Sequence, residues 1–202
     1  LENKRNSGSK EIQVVVMQTP KISNFTDLDV FVRIPGVTVR YVTKVSELGT
    51  PDLVILPGTK NTISDLLWMR QNGLEGAILK LAGRNVPVWG ICGGYQMLGD
   101  ILRDPEGIEA GGTMKGMGLL PLETIFTKEK TRTRVDGRFL KVEGILAGLE
   151  GIALEGYEIH MGDTRSGLPA MCEIKDCAGK QTASQRTRQS MDGVSMGNVY
   201  GT

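Results

Sequence analysis

The sequence predicts an α/β domain built on a mostly parallel sheet with helices on both faces. Four short apolar runs, rich in β-branched residues, lie at positions 12–17, 37–42, 52–56 and 86–91. Between the last two runs, apolar residues recur at helical spacing. Runs that are apolar on both faces are typical of parallel strands, because crossover helices cover both sides of such a sheet.

Two consecutive helices are predicted between the third and fourth strands. Asn61 or Thr62 can cap the first helix, and Gly73 ends it, because glycine adopts the left-handed conformation that often follows a helix. A second helix is predicted over residues 73–83. Pro87 lies near the start of the fourth strand, where its missing N–H is tolerated. The apolar positions of the two helices are Ile63, Leu66, Leu67, Leu74, Ala77, Ile78 and Leu81.

The second half of the chain is less regular and predicts β-rich additions to the sheet. Strand-like stretches broken by glycine lie at residues 111–126, 132–145 and 152–161. Residues 163–195 are mostly polar, which predicts loops, and a short strand is expected at residues 197–200.

Composition and charge exclude several classes of protein. The 24 basic and 23 acidic side chains of the 202 residues leave a net charge of +1, which argues against extensive nucleic-acid binding. No apolar run approaches the roughly 20 residues that span a membrane, and there is no signal-peptide core, so a cytoplasmic location is expected. Three cysteines and one histidine predict free thiols rather than a disulfide framework or a Cys₂His₂ zinc site. The polar residues 1–10 are interpreted as a linker and residues 11–202 as the domain.

One strand-to-helix junction carries the strongest chemical signal. Gly90-Ile91-Cys92-Gly93-Gly94 follows the fourth strand and opens a helix, which is the layout of a nucleophile elbow. The outer glycines remove side chains that would collide in so tight a turn. Cys92 is therefore predicted to be a nucleophile at the carboxyl end of a central strand, where open α/β sheets bind ligands. The alternative is that Cys92 is a small buried residue in a tight turn.

The helix after Cys92 is expected to favour its thiolate form. A free thiol has a pKa of about 8.5, and a helix N-terminus stabilises an anion by about 0.3–1 kcal/mol, at most roughly 2. The pKa would fall by at most about one and a half units, and a histidine is still required to protonate a leaving amine. Cys172 and Cys177 lie in a polar segment without C-x-x-C spacing and are interpreted as incidental.

A second loop is predicted to meet this junction. The segment P-G-T-K-N-T at residues 57–62 follows the third strand and opens a helix, so its amides are expected to point into the same crevice. A tetrahedral oxyanion needs two donors at about 2.7–3.1 Å, one usually being the amide after the nucleophile. The candidates are Gly93 together with Gly58 or Thr59. A simple turn and helix cap is the alternative, while the spacing excludes a phosphate-binding loop.

Longer segments extend both motifs. They are LPGTKNTISDLLWMRQNGLEGAILKL, VPVWGICGGYQMLG, GMGLLPLETIF and GYEIHMGDTR. Together they resemble the class I, triad-type glutamine amidotransferase domain of the cobyric acid synthases. The resemblance covers roughly Ile12 to Thr164 and resumes weakly at Gly197 to Thr202.

The resemblance implies a flavodoxin-like domain that hydrolyses glutamine through a cysteine thioester. It implies that Cys92 is the nucleophile, that Gly93 and the Gly58-Thr59 turn form the oxyanion hole, and that Gln96 contacts the substrate. The ammonia would pass to an N-terminal synthetase domain of the same polypeptide. That domain would use ATP and Mg²⁺ to amidate a corrinoid, adenosylcobyrinic acid a,c-diamide, in cobalamin biosynthesis. Within this domain, no cofactor, metal, nucleic acid or membrane is expected to bind.

The chain departs from the family at the general base. In the family, the catalytic histidine follows a segment similar to residues 197–202, so it is expected beyond Thr202, and residues 11–202 would be a C-terminally truncated domain. His160 matches a family signature but not that base. Strand alternation predicts Glu158 and His160 on one face of a strand, with Tyr157 and Ile159 on the other. A structural or surface role is favoured for His160, and contact with substrate or another domain is the alternative.

Other functions stay open. Cobyrinic acid a,c-diamide synthase and the subunit that amidates cell-wall lipid II share the elbow, but the segment P-G-T-K-N-T followed by W-M-R argues against both. A non-catalytic module that holds glutamine or a partner domain is the remaining alternative.

We expect negligible steady-state glutaminase activity from residues 1–202, because the expected general base is absent from them. Extending the chain through the expected histidine should restore turnover, and ammonia release from the two proteins measures this. Robust turnover by residues 1–202 that is lost in His160→Ala would instead identify His160 as the base.

Overall fold

The structure, a computed structural model, describes residues 11–23, 25–177 and 189–202. The predicted linker at residues 1–10 lies outside the described residues. The described part forms one 11-stranded mixed sheet with helices packed against it. In this part of the chain, no helix is long and apolar enough to cross a membrane.

The first half of the described chain forms a parallel sheet. Its strands β1 to β4 are ordered β2-β1-β3-β4, and a later strand, β11, extends this order beside β4. Such an order is that of flavodoxin-like sheets. The predicted strands and helices of this half are confirmed. Their bounds are β1 Ile12–Met17, β2 Val37–Val42, β3 Leu53–Leu56, α2 Thr62–Gln71, α3 Leu74–Gly83 and β4 Val88–Gly90, and the structure adds a short helix that the sequence did not predict, α1 Asp29–Val32.

Side chains of the parallel strands alternate between two hydrophobic cores. Val15 and Met17 pack in the core that α2 and α3 cover, whereas Val14 and Val16 pack with Leu28 on the opposite face. These four side chains of β1 are buried. The predicted cover of helices on both faces is therefore confirmed, with α1 on the face opposite α2 and α3.

The second half continues the same sheet, largely with antiparallel strands. From β4 the order runs β11-β10-β9-β7-β5-β6, and β8 pairs with β7 beside this path. The parallel pairs of this half are β4 with β11 and β5 with β7. The bounds are α4 Gly93–Met97, β5 Ile101–Asp104, β6 Gly112–Lys115, β7 Leu122–Phe139, β8 Ala153–Ser166, β9 Ala170–Asp176, β10 Gln189–Met196 and β11 Val199–Gly201.

The prediction of loops over residues 163–195 is wrong where the structure describes them. Strand β8 continues through Ser166, and β9 and β10 fill much of the rest, while residues 178–188 lie outside the described part. Many side chains of these strands are exposed or half-buried, which accounts for their polar sequence. Only a few inward residues, such as Met171 and Ile174, reach the core. Cys172 is one of them, so it packs as a small apolar side chain.

Strand β5 ends at Asp104, whose carboxylate organises the loop that follows. Asp104 is fully buried. Its oxygens accept hydrogen bonds from the backbone N–H groups of Ile108, Glu109, Ala110 and Gly111 at 2.8–2.9 Å. Burial raises the pKa of Asp104, but the four donors outweigh this effect and lower the pKa to about 2. The loop is thereby anchored to the end of β5.

We expect Asp104→Asn to lower the free energy of unfolding at pH 7 by at least about 2 kcal/mol, because its amide nitrogen would face N–H donors. Since the pKa of Asp104 in the folded chain lies below its ordinary 3.8, its stabilisation is present above that pH and is lost as the pH falls toward 2. Urea unfolding of both proteins between pH 7 and pH 2 measures the difference. Asp100→Asn, which changes an exposed carboxyl nearby, is the control, and a difference that persists undiminished at pH 2 would contradict the prediction.

Candidate active site

Cys92 lies at the sharp turn between β4 and α4. Its backbone has φ 53° and ψ −113°, a conformation that costs a non-glycine residue about 1–3 kcal/mol. Its N–H donates to the Thr202 carbonyl at 2.7 Å, and its own carbonyl accepts from the Gln96 N–H at 3.0 Å. Hydrogen bonds on both sides therefore hold the strained residue in place.

Glycines allow the start of α4 to approach the ends of β3 and β4. A Cβ placed on Gly94 would lie 2.0 Å from the Leu56 carbonyl oxygen, and one on Gly90 would lie 2.6 Å from the Gly94 carbonyl oxygen. No real Cβ approaches an oxygen so closely, so a side chain at either position would push α4 away. The predicted junction of strand, tight turn and helix is present, and its glycines serve the predicted purpose.

The loop at residues 57–62 meets this turn. A Cβ placed on Gly58 would lie 3.7 Å from the Cys92 Cβ, and one on Gly93 would lie 3.2 Å from the Thr59 nitrogen. The Gly58 carbonyl accepts from the Ser23 N–H at 2.8 Å, which sets the orientation of the Gly58-Thr59 peptide. Within the described ranges, no backbone or side-chain oxygen accepts from the N–H groups of Gly58, Thr59 or Gly93. The structure thus gathers the predicted donors around Cys92, and their role as an oxyanion hole stays a prediction.

The amides at the start of α2 do not point into the crevice, contrary to the expectation for this loop. The Thr62 and Ile63 N–H groups donate to the two carboxylate oxygens of Glu109 at 3.0 and 2.8 Å. The Ser64 N–H donates to the Asn61 side chain at 2.7 Å, which confirms Asn61 as the cap. Sequence reasoning missed Glu109, because it lies 47 residues from Thr62 and no local pattern connects the two.

Gln96 lies one helical turn beyond the nucleophile and is buried. Its side-chain carbonyl accepts from the Thr62 hydroxyl at 3.0 Å, and its side-chain NH₂ donates to the Met161 carbonyl at 3.3 Å. Two residues back along the same strand, the Ile159 carbonyl accepts from the thiol of the half-buried Cys92 at 3.4 Å. Strand β8 therefore runs directly beside Cys92 and Gln96, and substrate contact by Gln96 stays a prediction.

His160 lies between these two β8 carbonyls but does not bond to the thiol. Its Nδ1 lies 2.9 Å from the Gly162 carbonyl oxygen, and its Nε2 lies 3.0 Å from a Glu158 carboxylate oxygen. The Tyr157 and Ile159 side chains are 71% and 38% exposed on the opposite face. The predicted alternation is confirmed, and both ring nitrogens of His160 are engaged within its own strand.

The surroundings of Cys92 raise the pKa of its thiol, although the Gly93 N–H at the start of α4 acts in the predicted direction and lowers it. Burial has the largest effect, and the Gly93 N–H opposes it. The Asp192 and Glu109 carboxylates raise the pKa further, because they disfavour a second negative charge nearby. The raised pKa favours the protonated thiol, in keeping with its hydrogen bond to the Ile159 carbonyl.

Solved structures of glutamine amidotransferases share this fold. The structure of PurLQS from Thermotoga maritima matches with a TM-score of 0.59 and 17% identity, covering 95% of this chain and 85% of that chain. A glutamine amidotransferase from the same organism matches with a TM-score of 0.58 and 14% identity, covering 95% of this chain and 74% of that one. At these identities the likeness shows the fold alone, which is that of the class I glutamine amidotransferases.

The chain belongs to the family of CobB/CobQ-like glutamine amidotransferase domains, which matches residues 13–202. It is therefore a domain of an enzyme. Cobyric acid synthase of Ruminiclostridium cellulolyticum is 53% identical over 196 residues, covering 95% of this chain and 37% of that protein. Cobyric acid synthase of Lachnoclostridium phytofermentans is 47% identical over 197 residues, covering 96% of this chain and 38% of that protein. The chain thus spans somewhat more than a third of the length of these relatives.

We expect Gly94→Ala to lower the free energy of unfolding by more than about 4 kcal/mol, because the added methyl would displace α4 from Leu56. Gly76→Ala is the matched control. It lies in α3 with nothing within 4 Å of an added Cβ, so the same change should raise the free energy of unfolding by up to about 1 kcal/mol. Urea unfolding measures both, and a Gly94→Ala protein within about 1 kcal/mol of the parent would show that the contact is not rigid.

Proposed function

We propose that the Cys92 site hydrolyses glutamine and that the ammonia serves the amidation reaction of a cobyric acid synthase in cobalamin biosynthesis. The observation that carries the glutaminase part is the geometry around Cys92. A strained turn presents the thiol beside backbone N–H groups of Gly58, Thr59 and Gly93 that have no oxygen acceptor in the described part of the chain. Family membership and the identity to cobyric acid synthases support glutamine as the substrate.

In the proposed reaction, the Cys92 thiolate attacks the carboxamide carbon of glutamine, and a carbon–sulfur bond forms. Negative charge develops on the carboxamide oxygen, where the Gly93 N–H and an N–H of Gly58 or Thr59 would stabilise it. Removing one such donor typically costs about 10²–10³-fold in rate. The carbon–nitrogen bond then breaks, the nitrogen takes a proton and ammonia leaves. Water hydrolyses the thioester, which releases glutamate and restores the thiol.

The reaction needs a base for the thiol proton and an acid for the leaving nitrogen. The resemblance implies that a histidine beyond Thr202 fills both roles, and the structure supports that position. The Thr202 carbonyl accepts from the Cys92 N–H at 2.7 Å, so a residue that follows Thr202 would begin beside the nucleophile. The Thr202 hydroxyl also donates to Asp192 at 3.0 Å, which holds the end of β11 at the site.

The proposal extends to the rest of the longer relatives. Amidation of a corrinoid carboxylate consumes ATP with Mg²⁺, and we assign this step to a synthetase region outside the present domain. In the part of the chain that the structure describes, no group of three His, Cys, Asp or Glu side chains is placed to hold a metal ion. We also propose a cytoplasmic location, which the three free cysteines support because a reducing compartment keeps thiols unpaired.

We expect a glutamine-derived chloroketone to alkylate Cys92 with saturation kinetics, because the site would bind its amino-acid part before the thiol reacts. Peptide mass spectrometry of the labelled protein locates the adduct, and excess glutamine should slow the reaction. Cys177 is the internal control, since it is exposed and should react with iodoacetamide but not selectively with the chloroketone.

Two outcomes would contradict the proposal. Equal labelling of Cys92 and Cys177 by the chloroketone would show that no glutamine site surrounds Cys92. Saturable binding of glutamine without any labelling would favour the alternative of a non-catalytic module. Where Cys92 is labelled selectively, Cys92→Ala should abolish the adduct.

A further inference from the structure

We propose that Glu109 is a positioning residue of the glutamine site, which acts through the first turn of α2 and Thr62 on the side chain of Gln96. The inference rests on the proposed function, because Gln96 is its proposed contact with substrate. Glu109 itself touches no reacting atom in this proposal. Its effect passes along a chain of hydrogen bonds from the end of β5 to strand β8.

The first link is the attachment of Glu109 to the sheet. Asp104, fully buried at the end of β5, accepts from four successive backbone N–H groups, including that of Glu109 at 2.8 Å. Because the Asp104 carboxylate is held by the sheet, the backbone of the loop has little freedom to move. The side chain of Glu109 is thus presented to α2 from a rigid support.

The second link is the contact between Glu109 and α2. Its two carboxylate oxygens each accept one N–H, from Thr62 and from Ile63, at 3.0 and 2.8 Å. The Asn61 side chain donates to the Glu109 backbone carbonyl at 3.4 Å. A carboxylate is favoured at a helix N-terminus, where the first N–H groups have no partner within the helix. Glu109 therefore sets where the first turn of α2 lies.

The third link orients Gln96. The Thr62 hydroxyl donates to the Gln96 side-chain carbonyl at 3.0 Å, so the NH₂ group of the same amide is turned toward the Met161 carbonyl, 3.3 Å away. Thr62 and Gln96 are both buried, with 2% and 5% exposure, so water does not readily replace this bond. A Cβ placed on Gly93 would lie 3.1 Å from the Thr62 hydroxyl oxygen. Thr62 thus borders both Gln96 and a proposed oxyanion donor.

If Glu109 served only to cap α2, a variant that weakens the cap would leave the substrate site unchanged. The chain of contacts makes a different prediction, because a shift of Thr62 releases the Gln96 amide and lets it rotate. Binding of the amino-acid part of the substrate should weaken, while the reactivity of the thiol toward a small electrophile should not fall.

The test compares alkylation of Cys92 by the glutamine chloroketone in the 202-residue chain and its variants. Saturation curves give the apparent dissociation constant and the limiting rate. In Glu109→Ala we expect the dissociation constant to rise roughly tenfold and the limiting rate to change less than about threefold. In Glu109→Gln the rise should be smaller, since its amide oxygen can still accept from one of the two N–H groups. The iodoacetamide rate at Cys92 should not fall in either variant.

Glu106→Gln is the matched control. It removes a charge from the same loop, but Glu106 is exposed and, among the described residues, its one ion pair is with Lys128 at 3.6 Å. We expect both kinetic constants to equal those of the parent. An effect of Glu106→Gln as large as that of Glu109→Gln would mean that loop charge, and not the contact with α2, controls binding.

Thr62→Val tests the next link with Glu109 intact, and it keeps the proposal testable if Glu109→Ala does not fold. It should raise the dissociation constant by a similar factor, because valine keeps the shape of threonine without its hydroxyl. In the double variant with Glu109→Ala, the rise should match the larger single effect, whereas a product of both effects would contradict a shared path.

The outcomes separate this inference from the proposed function. A parent chain that reacts with the chloroketone without saturation has no glutamine site, and the proposed function fails. A parent that saturates while Glu109→Ala and Thr62→Val keep its dissociation constant refutes the positioning role alone.

Discussion

The contact between the start of α4 and the end of β3 is the constraint on which the site depends. Gly94 lies so close to the Leu56 carbonyl that no side chain fits between them. This closeness brings the turn at Cys92 against the loop that follows β3, so Cys92 and the Gly58-Thr59 peptide lie side by side. The strained backbone at Cys92 persists because the Thr202 carbonyl, just after β11, bonds to its N–H and Gln96 of α4 bonds to its carbonyl.

The site lies where the two halves of the sheet meet. The parallel half supplies Cys92 and the donors after β3, because the carboxyl ends of its strands converge at one edge. The antiparallel half supplies β8, whose Ile159 and Met161 carbonyls accept from Cys92 and Gln96. Neither half alone surrounds Cys92. Strand β11 pairs with β4, and the Thr202 carbonyl just after β11 accepts from the Cys92 N–H.

The surroundings of Cys92 favour the protonated, unreactive form of its thiol. Burial and the carboxylates of Asp192 and Glu109 raise the pKa of Cys92 above its ordinary value. A thiolate is nevertheless the reactive form, so the proposed reaction requires a proton acceptor. The two carboxylates near Cys92 also make hydrogen bonds that hold the fold, because Asp192 bonds to Thr202 and Glu109 bonds to the first turn of α2. The same carboxylates that disfavour the thiolate thus hold the elements that surround it.

The sequence by itself determined the parallel half of the fold, the junction at Cys92 and a helix cap at Asn61 or Thr62, because each follows from residues within one short window. Apolar runs, glycines and a capping side chain act on their immediate neighbours. Only the tertiary structure decided the strands within residues 163–195, the direction of the Cys92 pKa shift and the contact of Glu109 with α2. These depend on burial and on partners distant in the chain, and a charge or a free amide has no effect on a site until folding brings the two together.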